Sequence, residues 1–201
     1  MRALFLLLII PLLAACFGGT GARMTPASHD LSSTRPEADS GRIGILRQVE
    51  VRSPSWLDTT AMQYRLSYAH RSRREAYAAS RWVAPPPRLL EQKLRQRLLG
   101  GAGSAPIQAA GCRLRIDLDE LVQDFDRPES SQVTLEARVT LLAPRSEALL
   151  ARQRFRILQA AGADARGGVV ALEEATRQFG EEIEDWLRRA GNEVLDRCRL
   201  S

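Results

Sequence analysis

Residues 133–141 of this chain read VTLEARVTL, with apolar and polar side chains alternating over the whole stretch. Because successive side chains of a β-strand point to opposite faces, this pattern predicts a strand with one buried and one solvated face. Similar alternation occurs in LRIDL at 114–118 and in LLARQRFRI at 149–157. A turn at Pro144-Arg145-Ser146 separates the strands at 133–141 and 149–157, so we expect these two to pair as an antiparallel hairpin.

Weaker strand patterns lie earlier in the chain. Apolar residues alternate with polar ones at 43–51 and 62–68, and a short third strand is expected at 74–79. A proline run then leads into leucines spaced three and four apart, which predicts a helix that ends before Gly100. Apolar residues return at helical spacing over 168–190, with glutamates between them, which predicts a long amphipathic helix.

These elements follow the order β-β-β-α-β-β-β-α, in which each helix comes after a group of strands. Such an order is typical of an α+β fold, because the helices then pack together on one side of a sheet. We therefore predict a two-layer sandwich with a mostly antiparallel sheet and two main helices packed on one face. No change of composition marks a boundary after Gly41, so residues 42–201 are predicted to form one domain.

The first fifteen residues have the character of an export signal. Arg2 precedes an apolar run at 3–15, which is shorter than the roughly 20 residues needed to span a bilayer. The run ends in Leu13-Ala14-Ala15-Cys16, which resembles the bacterial lipobox, where the cysteine sulfur is acylated before the signal is removed. We therefore predict a lipoprotein signal peptide at 1–15 and an acylated Cys16 as the new amino terminus. The alternative is an ordinary cleavage in which Cys16 has no role.

The segment 16–41 is rich in Gly, Ser, Thr and Pro and has almost no apolar bulk. Such a chain cannot offset its conformational entropy by burial, so it is predicted to be a flexible tether behind the lipidated residue. His29 lies in it and is expected to be a solvated loop residue. Position 17 is Phe and not the Asp that resembles an inner-membrane retention signal, so delivery to the outer membrane, on its periplasmic side, is predicted.

Candidate catalytic and metal-binding residues are scarce. The two histidines, His29 and His70, lie in predicted loops without a nucleophile signature beside them, so no catalytic site is predicted. No Cys/His cluster has metal-ligand spacing and no glycine motif fits a phosphate, so neither a metal nor a cofactor is predicted. The net charge of +5 could suggest a nucleic acid or an anionic membrane surface, but Lys93 is the only lysine, and such arginine skew often reflects codon usage. No nucleic-acid partner is predicted.

A row of three arginines, Arg152, Arg154 and Arg156, lies on the polar face of the predicted strand at 149–157. Two interpretations of this row stay open. It is either a solvated strand face or a contact for phospholipid head groups or an acidic partner.

Cys112 and Cys198 remain as a pair once Cys16 is assigned to lipid. An even number of cysteines in an oxidising compartment favours a disulfide, so we predict that these two are bonded. The bond would join the chain end after the last helix to the start of the strand at 114–118. The alternative is two unpaired thiols, one packed at a strand edge and one loose near the terminus.

Three short motifs lie between Pro54 and Pro86. They are Pro54-Ser55-Trp56-Leu57-Asp58, Met62-Gln63-Tyr64-Arg65 and Arg81-Trp82-Val83-Ala84-Pro85-Pro86, and the leucine-rich helix follows the third. Together with the lipobox, they resemble the ABC-type transport auxiliary lipoprotein family. The resemblance covers 42–190 in layout, and its sharp matches are confined to 54–86. The basic stretch at 71–74 and the two later cysteines depart from the family pattern.

The resemblance implies a non-enzymatic lipoprotein that faces the periplasm from the outer membrane. It implies work beside an MCE-domain periplasmic protein and an ABC transporter, which together move lipids between the two membranes. The chain would contact outer-membrane phospholipid and dock the distal end of the conduit, as a ring of identical subunits. Cys16 would be the anchor.

The motif residues would then shape a structural corner or an interface: Pro54, Trp56, Leu57, Asp58, Tyr64, Arg65 and Trp82. Two other interpretations stay open. Trp56 and Trp82 are equally compatible with core packing, and Asp58 and Arg65 with an internal ion pair.

Two rival functions fit the same anchor and fold class. One is a pilotin or assembly lipoprotein of another envelope secretion or lipopolysaccharide export machine. The other is an envelope hydrolase, for which no nucleophile signature is present.

Overall fold

The computed structural model describes residues 25–31, 43–100 and 111–199. These residues form seven strands and three α-helices: β1 (Ala27–His29), β2 (Leu46–Arg52), β3 (Ala61–Leu66), β4 (Arg74–Trp82), α1 (Pro86–Leu99), β5 (Cys112–Arg127), β6 (Ser130–Leu142), β7 (Leu149–Ala161), α2 (Ala165–Arg189) and α3 (Asn192–Arg199). A short 3-10 helix, Ser55–Leu57, lies between β2 and β3. The predicted α+β class is confirmed in this coarse form.

The sheet is organised around the long strand β5. On one edge β5 pairs with β6 along its length, and β6 pairs with β7. On the other edge β5 pairs with β2 through its first half and with β3 through residues 123–125. The outer strands continue from β3 to β4 and then to β1.

The sheet is mixed, which differs from the mostly antiparallel sheet that the sequence predicts. Three of the six strand pairings are parallel, namely β1 with β4, β2 with β5 and β3 with β5. The other three are antiparallel, including the predicted hairpin of β6 and β7. Side-chain alternation shows which face of a strand is buried but not the direction of the neighbouring strand, so the parallel pairings were missed.

Strand β5 is longer than the alternation at 114–118 predicts, because the pairing register with β6 shifts between Leu118 and Glu120. A bulge of this kind inserts an extra residue and changes which side chains face the core. Alternation in the sequence therefore stops at the bulge, while the strand itself continues to Arg127.

Part of the predicted tether belongs to the folded domain. Residues 27–29 form β1, which pairs in parallel with residues 80–82 of β4, and Leu31 is 2% exposed. His29 is a strand residue and not a loop residue, and its carbonyl accepts the backbone N–H of Val83 at 2.8 Å. A three-residue strand is too short to show an alternation of apolar and polar residues, so it could not be recognised within a segment of linker-like composition. The rest of the predicted tether lies outside the described residues.

Helices α1 and α2 contact each other, and they pack against different parts of the sheet. Helix α1 lies against β2, while α2 lies against β6 and β7. Between the helices, the Arg97 guanidinium is 2.5 Å from a Glu184 carboxylate oxygen, and both side chains are more than nine-tenths buried. This ion pair holds the two helices together inside the core, where an unpaired charge would be strongly destabilising.

Candidate functional site

An apolar cleft opens at the meeting point of the three motifs and the start of α2. It encloses about 430 Å³ of space, counted out to its open mouth. One side of it is formed by the 3-10 helix, β3, the end of β4 at Trp82 and the start of α1 at Pro86. The other side is formed by the second half of β5, Val133 of β6 and the first turns of α2. Most of the lining is aliphatic or aromatic, with amide and hydroxyl groups from Thr59, Gln63 and Gln123.

The first and third motifs each contribute a buried anchor to this cleft. Leu57 in the 3-10 helix is 3% exposed, and Trp82 at the end of β4 is 6% exposed. The Trp82 backbone N–H donates to the carbonyl of Thr60 at 2.8 Å, which ties the end of β4 to the segment after the 3-10 helix. Pro86 lines the cleft and also opens α1, where its missing N–H leaves no unpaired donor.

The two tryptophans have different environments. Trp82 packs in the core, whereas Trp56, beside Leu57, is 54% exposed. Val83, beside Trp82, is also 54% exposed. The Gln63 amide donates to the Trp56 carbonyl at 2.7 Å and so holds this exposed tryptophan next to a residue of the cleft wall. Core packing therefore explains Trp82, and Trp56 is exposed enough to meet a partner.

Arg65 forms an ion-pair cluster with β5 and not with Asp58. Its guanidinium lies 3.0 Å from Glu120 and 3.3 Å from Asp124, and Arg74 also contacts Glu120. Asp58 is exposed at the end of the 3-10 helix. The open alternative of an internal Asp58–Arg65 pair is therefore wrong, because the parallel pairing of β3 with β5 places acidic residues of β5 directly beside Arg65.

The two arginines change the protonation of Glu120. Burial alone would raise the pKa of this carboxyl, but hydrogen bonds and charge from Arg74 and Arg65 outweigh burial, so the pKa is lowered. Glu120 is thus held as a carboxylate, and its contribution to stability is present above its unfolded pKa and is lost as the pH falls through its lower folded pKa.

Tyr64 joins β3 to β4 beside this cluster. Its hydroxyl donates to Glu75 at 2.9 Å, and its ring lies 4.6 Å from that of Tyr77 and 6.0 Å from that of Phe125 between centroids. Burial, with support from the bond to Glu75, raises the pKa of Tyr64. Within the described residues, the Tyr-Arg pair of the second motif therefore acts in strand pairing.

The floor of the cleft is a hydrogen-bonded network around the buried amide of Gln123. The amide nitrogen lies 2.9 Å from Ser131 Oγ, 2.9 Å from the Gly162 carbonyl and 3.1 Å from the Asp164 carbonyl. Its oxygen accepts the Tyr77 hydroxyl at 3.0 Å, and burial raises the pKa of Tyr77 to about 12. This network fixes the turn between β7 and α2 against β5, so the wall of the cleft that α2 supplies is held in place.

Sequence reasoning missed this network. Gln123 follows the bulge that ended the alternation, and Tyr77 lies in the weakest predicted strand. The available signal was the glycine at 168 inside a helical pattern, where Ala would give a better helix by about 1 kcal/mol. A glycine at such a helix position indicates that another group lies too close to the backbone for a Cβ, and here that group is the Gln123 amide.

We expect Gly168→Ala to destabilise the fold by about 1–3 kcal/mol, the usual effect of overpacking a filled site. A Cβ at this position would overlap Gln123 Oε1 and lie 2.9 Å from its Cδ, which would displace the amide from its partners. Urea unfolding of the full chain measures the effect. The matched control is Gly44→Ala, because no described atom lies within 4 Å of a Cβ there. Equal midpoints for the two variants would contradict the role given to the Gln123 network.

Cys112 and Cys198 are joined by a disulfide, in agreement with the prediction, with Cα atoms 5.0 Å apart. Both residues are buried, at 0% and 1% exposure. The bond fastens α3, which the sequence did not predict, to the first residue of the central strand β5. Cys16 lies outside the described residues.

The described residues contain no group of three or more His, Cys, Asp or Glu side chains placed to hold a metal ion. Within 25–31, 43–100 and 111–199, no helix combines the length and the apolar composition that a membrane span needs. The site that the geometry does provide is the apolar cleft with the exposed Trp56 beside it.

Fold and cleft together define an α+β domain with an apolar cleft at the meeting point of its sequence motifs. A family model described as "ABC-type transport auxiliary lipoprotein component" matches residues 29–184. The chain belongs to this family, and the resemblance seen in the sequence is confirmed.

Solved structures share this fold at low identity. Protein XCC0632 from Xanthomonas campestris is 17% identical with a TM-score of 0.61, over 84% of this chain and 96% of that chain. A second crystal structure, of an uncharacterized protein, is 16% identical with a TM-score of 0.60, over 81% of this chain and 99% of that chain. No match is found among curated proteins.

Proposed function

We propose that this chain is a lipid-anchored, non-enzymatic component of an MCE/ABC-type system that moves lipids between the bacterial membranes. It stands on the periplasmic side of the outer membrane, contacts phospholipid there and docks the distal end of the periplasmic conduit as a homo-oligomer. The observation that carries this proposal is the family match over residues 29–184, which identifies an auxiliary lipoprotein of ABC-type transport. The lipobox ending in Cys16 supports the anchor.

The position of β1 limits how far the domain stands from its anchor. Between Cys16 and Ala27 lie only residues 17–26, because β1 starts inside the segment first predicted as tether. A fully extended chain from Cys16 to Ala27 reaches at most about 40 Å. An acylated Cys16 would therefore keep the domain close to the membrane that holds it.

The cleft supports a role with lipids. Its lining is largely apolar, with Thr59, Gln63 and Gln123 as the polar members, a composition that is usual for small-ligand pockets. Among the described residues, no Asp, Glu, Lys or Arg side chain lines it, so an acyl chain would enter without desolvating a charge. The exposed Trp56 places an aromatic ring at the same corner, a residue type enriched at protein interfaces.

Site-specific photo-crosslinking in intact envelopes tests this function. A photo-reactive amino acid replaces Trp56, and a matched variant carries it at Ser146, an exposed position in the turn between β6 and β7. We expect position 56 to give an adduct with an MCE-domain protein, identified by mass spectrometry, and position 146 to give much less of it.

The same experiment separates the rival function. An adduct with a secretin or with a component of lipopolysaccharide export would support a pilotin or assembly lipoprotein. That result, or no protein adduct at either position, would overturn the proposed function.

A further inference from the structure

We propose that the free edge of β7 is a docking site for an extended segment of another protein, one that carries acidic side chains at alternate positions. The segment would add to the sheet as a further strand. This proposal does not depend on the proposed function, because it rests on the sheet order and on the charges of β7 alone.

The first observation is that β7 is long and has one unpaired edge. It runs over 13 residues, Leu149–Ala161, and pairs with β6 on one side. Within 25–31, 43–100 and 111–199, no strand pairs with its other side. A long edge of this kind presents a row of backbone N–H and C=O groups that a further strand can bind.

The second observation is a concentration of uncompensated positive charge on this edge strand. Elsewhere on the same sheet face, arginines are paired, for example Arg138 with Asp119 at 2.7 Å and Arg115 with Asp117 at 3.6 Å. On β7, Arg156 pairs with Glu136 at 2.8 Å. The side chains of Arg152 and Arg154 are exposed and form no ion pair or hydrogen bond with any described residue.

A strand added at this edge would meet these charges directly. Residues directly opposite each other on adjacent strands have Cβ atoms about 4.5–5.5 Å apart on the same face of the sheet. Side chains of the new strand on that face would therefore lie beside Arg152 and Arg154. Opposite charges at those two positions stabilise the pairing, and like charges oppose it. Leu158 lies on the same face of β7 and is 46% exposed. An apolar residue of the added strand would therefore fit opposite Leu158.

A second copy of this chain is a poor occupant of the edge. Two copies of β7 could pair antiparallel about a centre at any residue from 152 to 156. In each of these registers, at least one of the three arginines lies opposite an arginine of the other copy. Centring on Arg154, for example, places Arg152 opposite Arg156 of the second copy. The row thus discourages self-pairing while it leaves the edge open to an acidic strand.

Peptide binding to the full lipidated protein in detergent tests the proposal. The probe is a capped peptide of alternating glutamate and threonine with the length of β7, and a lysine-threonine peptide is its control. We expect binding of the glutamate peptide to weaken by about tenfold or more in R152E/R154E, since two attractive cross-strand pairs become repulsive. The matched variant is R71E/R88E, which makes the same charge change at two exposed arginines, one in the turn between β3 and β4 and one in α1, which lies against β2; it should bind as the unmodified protein does.

Amide hydrogen exchange then identifies the mode of binding. Every second residue of a strand points its N–H toward the same edge, so an added strand should slow exchange at alternate amides of β7. Binding without protection of β7, binding by vesicles of phosphatidylglycerol that displaces the peptide, or no binding at all would each overturn the proposal. Paired β7 strands in a dimer of the unmodified protein would overturn it as well.

Discussion

Cys16→Ala should move the protein from the membrane fraction to the periplasmic fraction. Three acyl chains on one cysteine, at about 0.8 kcal/mol for each buried methylene, hold a protein to a bilayer essentially permanently, and the variant loses all of them. The substitution extends the alanine pair Ala14-Ala15 by one residue, which fits ordinary signal cleavage, so the apolar segment at 3–15 should still be removed. Fractionation of envelopes, followed by mass measurement of the mature chain, checks both steps.

The control for this experiment is Cys198→Ser, which removes a cysteine and keeps the predicted acylation site. It should remain in the membrane fraction. An unmodified amino terminus on the wild-type protein, or Cys16→Ala protein that has lost its signal and still sediments with membranes, would refute the lipid anchor. The proposed location at the outer membrane would then lose its physical basis.

Reduction of the Cys112–Cys198 disulfide should lower the free energy of unfolding by about 2–4.5 kcal/mol. The bond closes a loop with a sequence separation of 86, for which the chain-entropy estimate is about 4.5 kcal/mol, and measured losses are typically somewhat smaller. Both sulfurs are buried, and the bond is a covalent link between α3 and the first residue of β5, so its loss also loosens α3. Urea unfolding of Cys112→Ser/Cys198→Ser, compared with the oxidised and the reduced wild type, measures the loss.

Local and global effects can be separated in the same variant. Helix α3 is only eight residues long, which is too short for stability without tertiary support. We therefore expect its amides to exchange much faster in the variant, while exchange of the β5 and β6 amides changes only with the global free energy of unfolding. An unchanged midpoint together with a protected α3 would show that packing, and not the disulfide, holds the chain end.

The sites described here lie on different parts of the domain and imply different contacts. The cleft and Trp56 lie where the 3-10 helix, the end of β4 and the start of α1 meet. The free edge of β7 lies at the opposite end of the strand order from β1 and β4. The cleft and this edge strand are linked through β6, because Val133 of β6 lines the cleft and pairs with Gln159 of β7.

Local sequence patterns were sufficient for most of the elements, though not for β1 or α3, and for the family. Alternation at 133–141 and 149–157 predicts β6 and β7, and apolar spacing at 168–190 predicts most of α2. These patterns succeed because they reflect which side of an element is buried. The motifs between Pro54 and Pro86 identify the family for a related reason, since the first and third combine residue types that a turn or a helix start requires and the second lies in a strand.

Tertiary contacts alone settled the rest. Trp56 and Trp82 are equivalent in the sequence, yet one is exposed and the other is buried, because burial depends on which strand or helix lies opposite. In the same way Arg65 meets β5 and not Asp58 because β3 and β5 pair in parallel. Gln123 becomes the floor of a cleft because β4, β6 and the turn before α2 lie around its amide. A residue's neighbours across a sheet are set by strand order and direction, and no short stretch of chain contains that information.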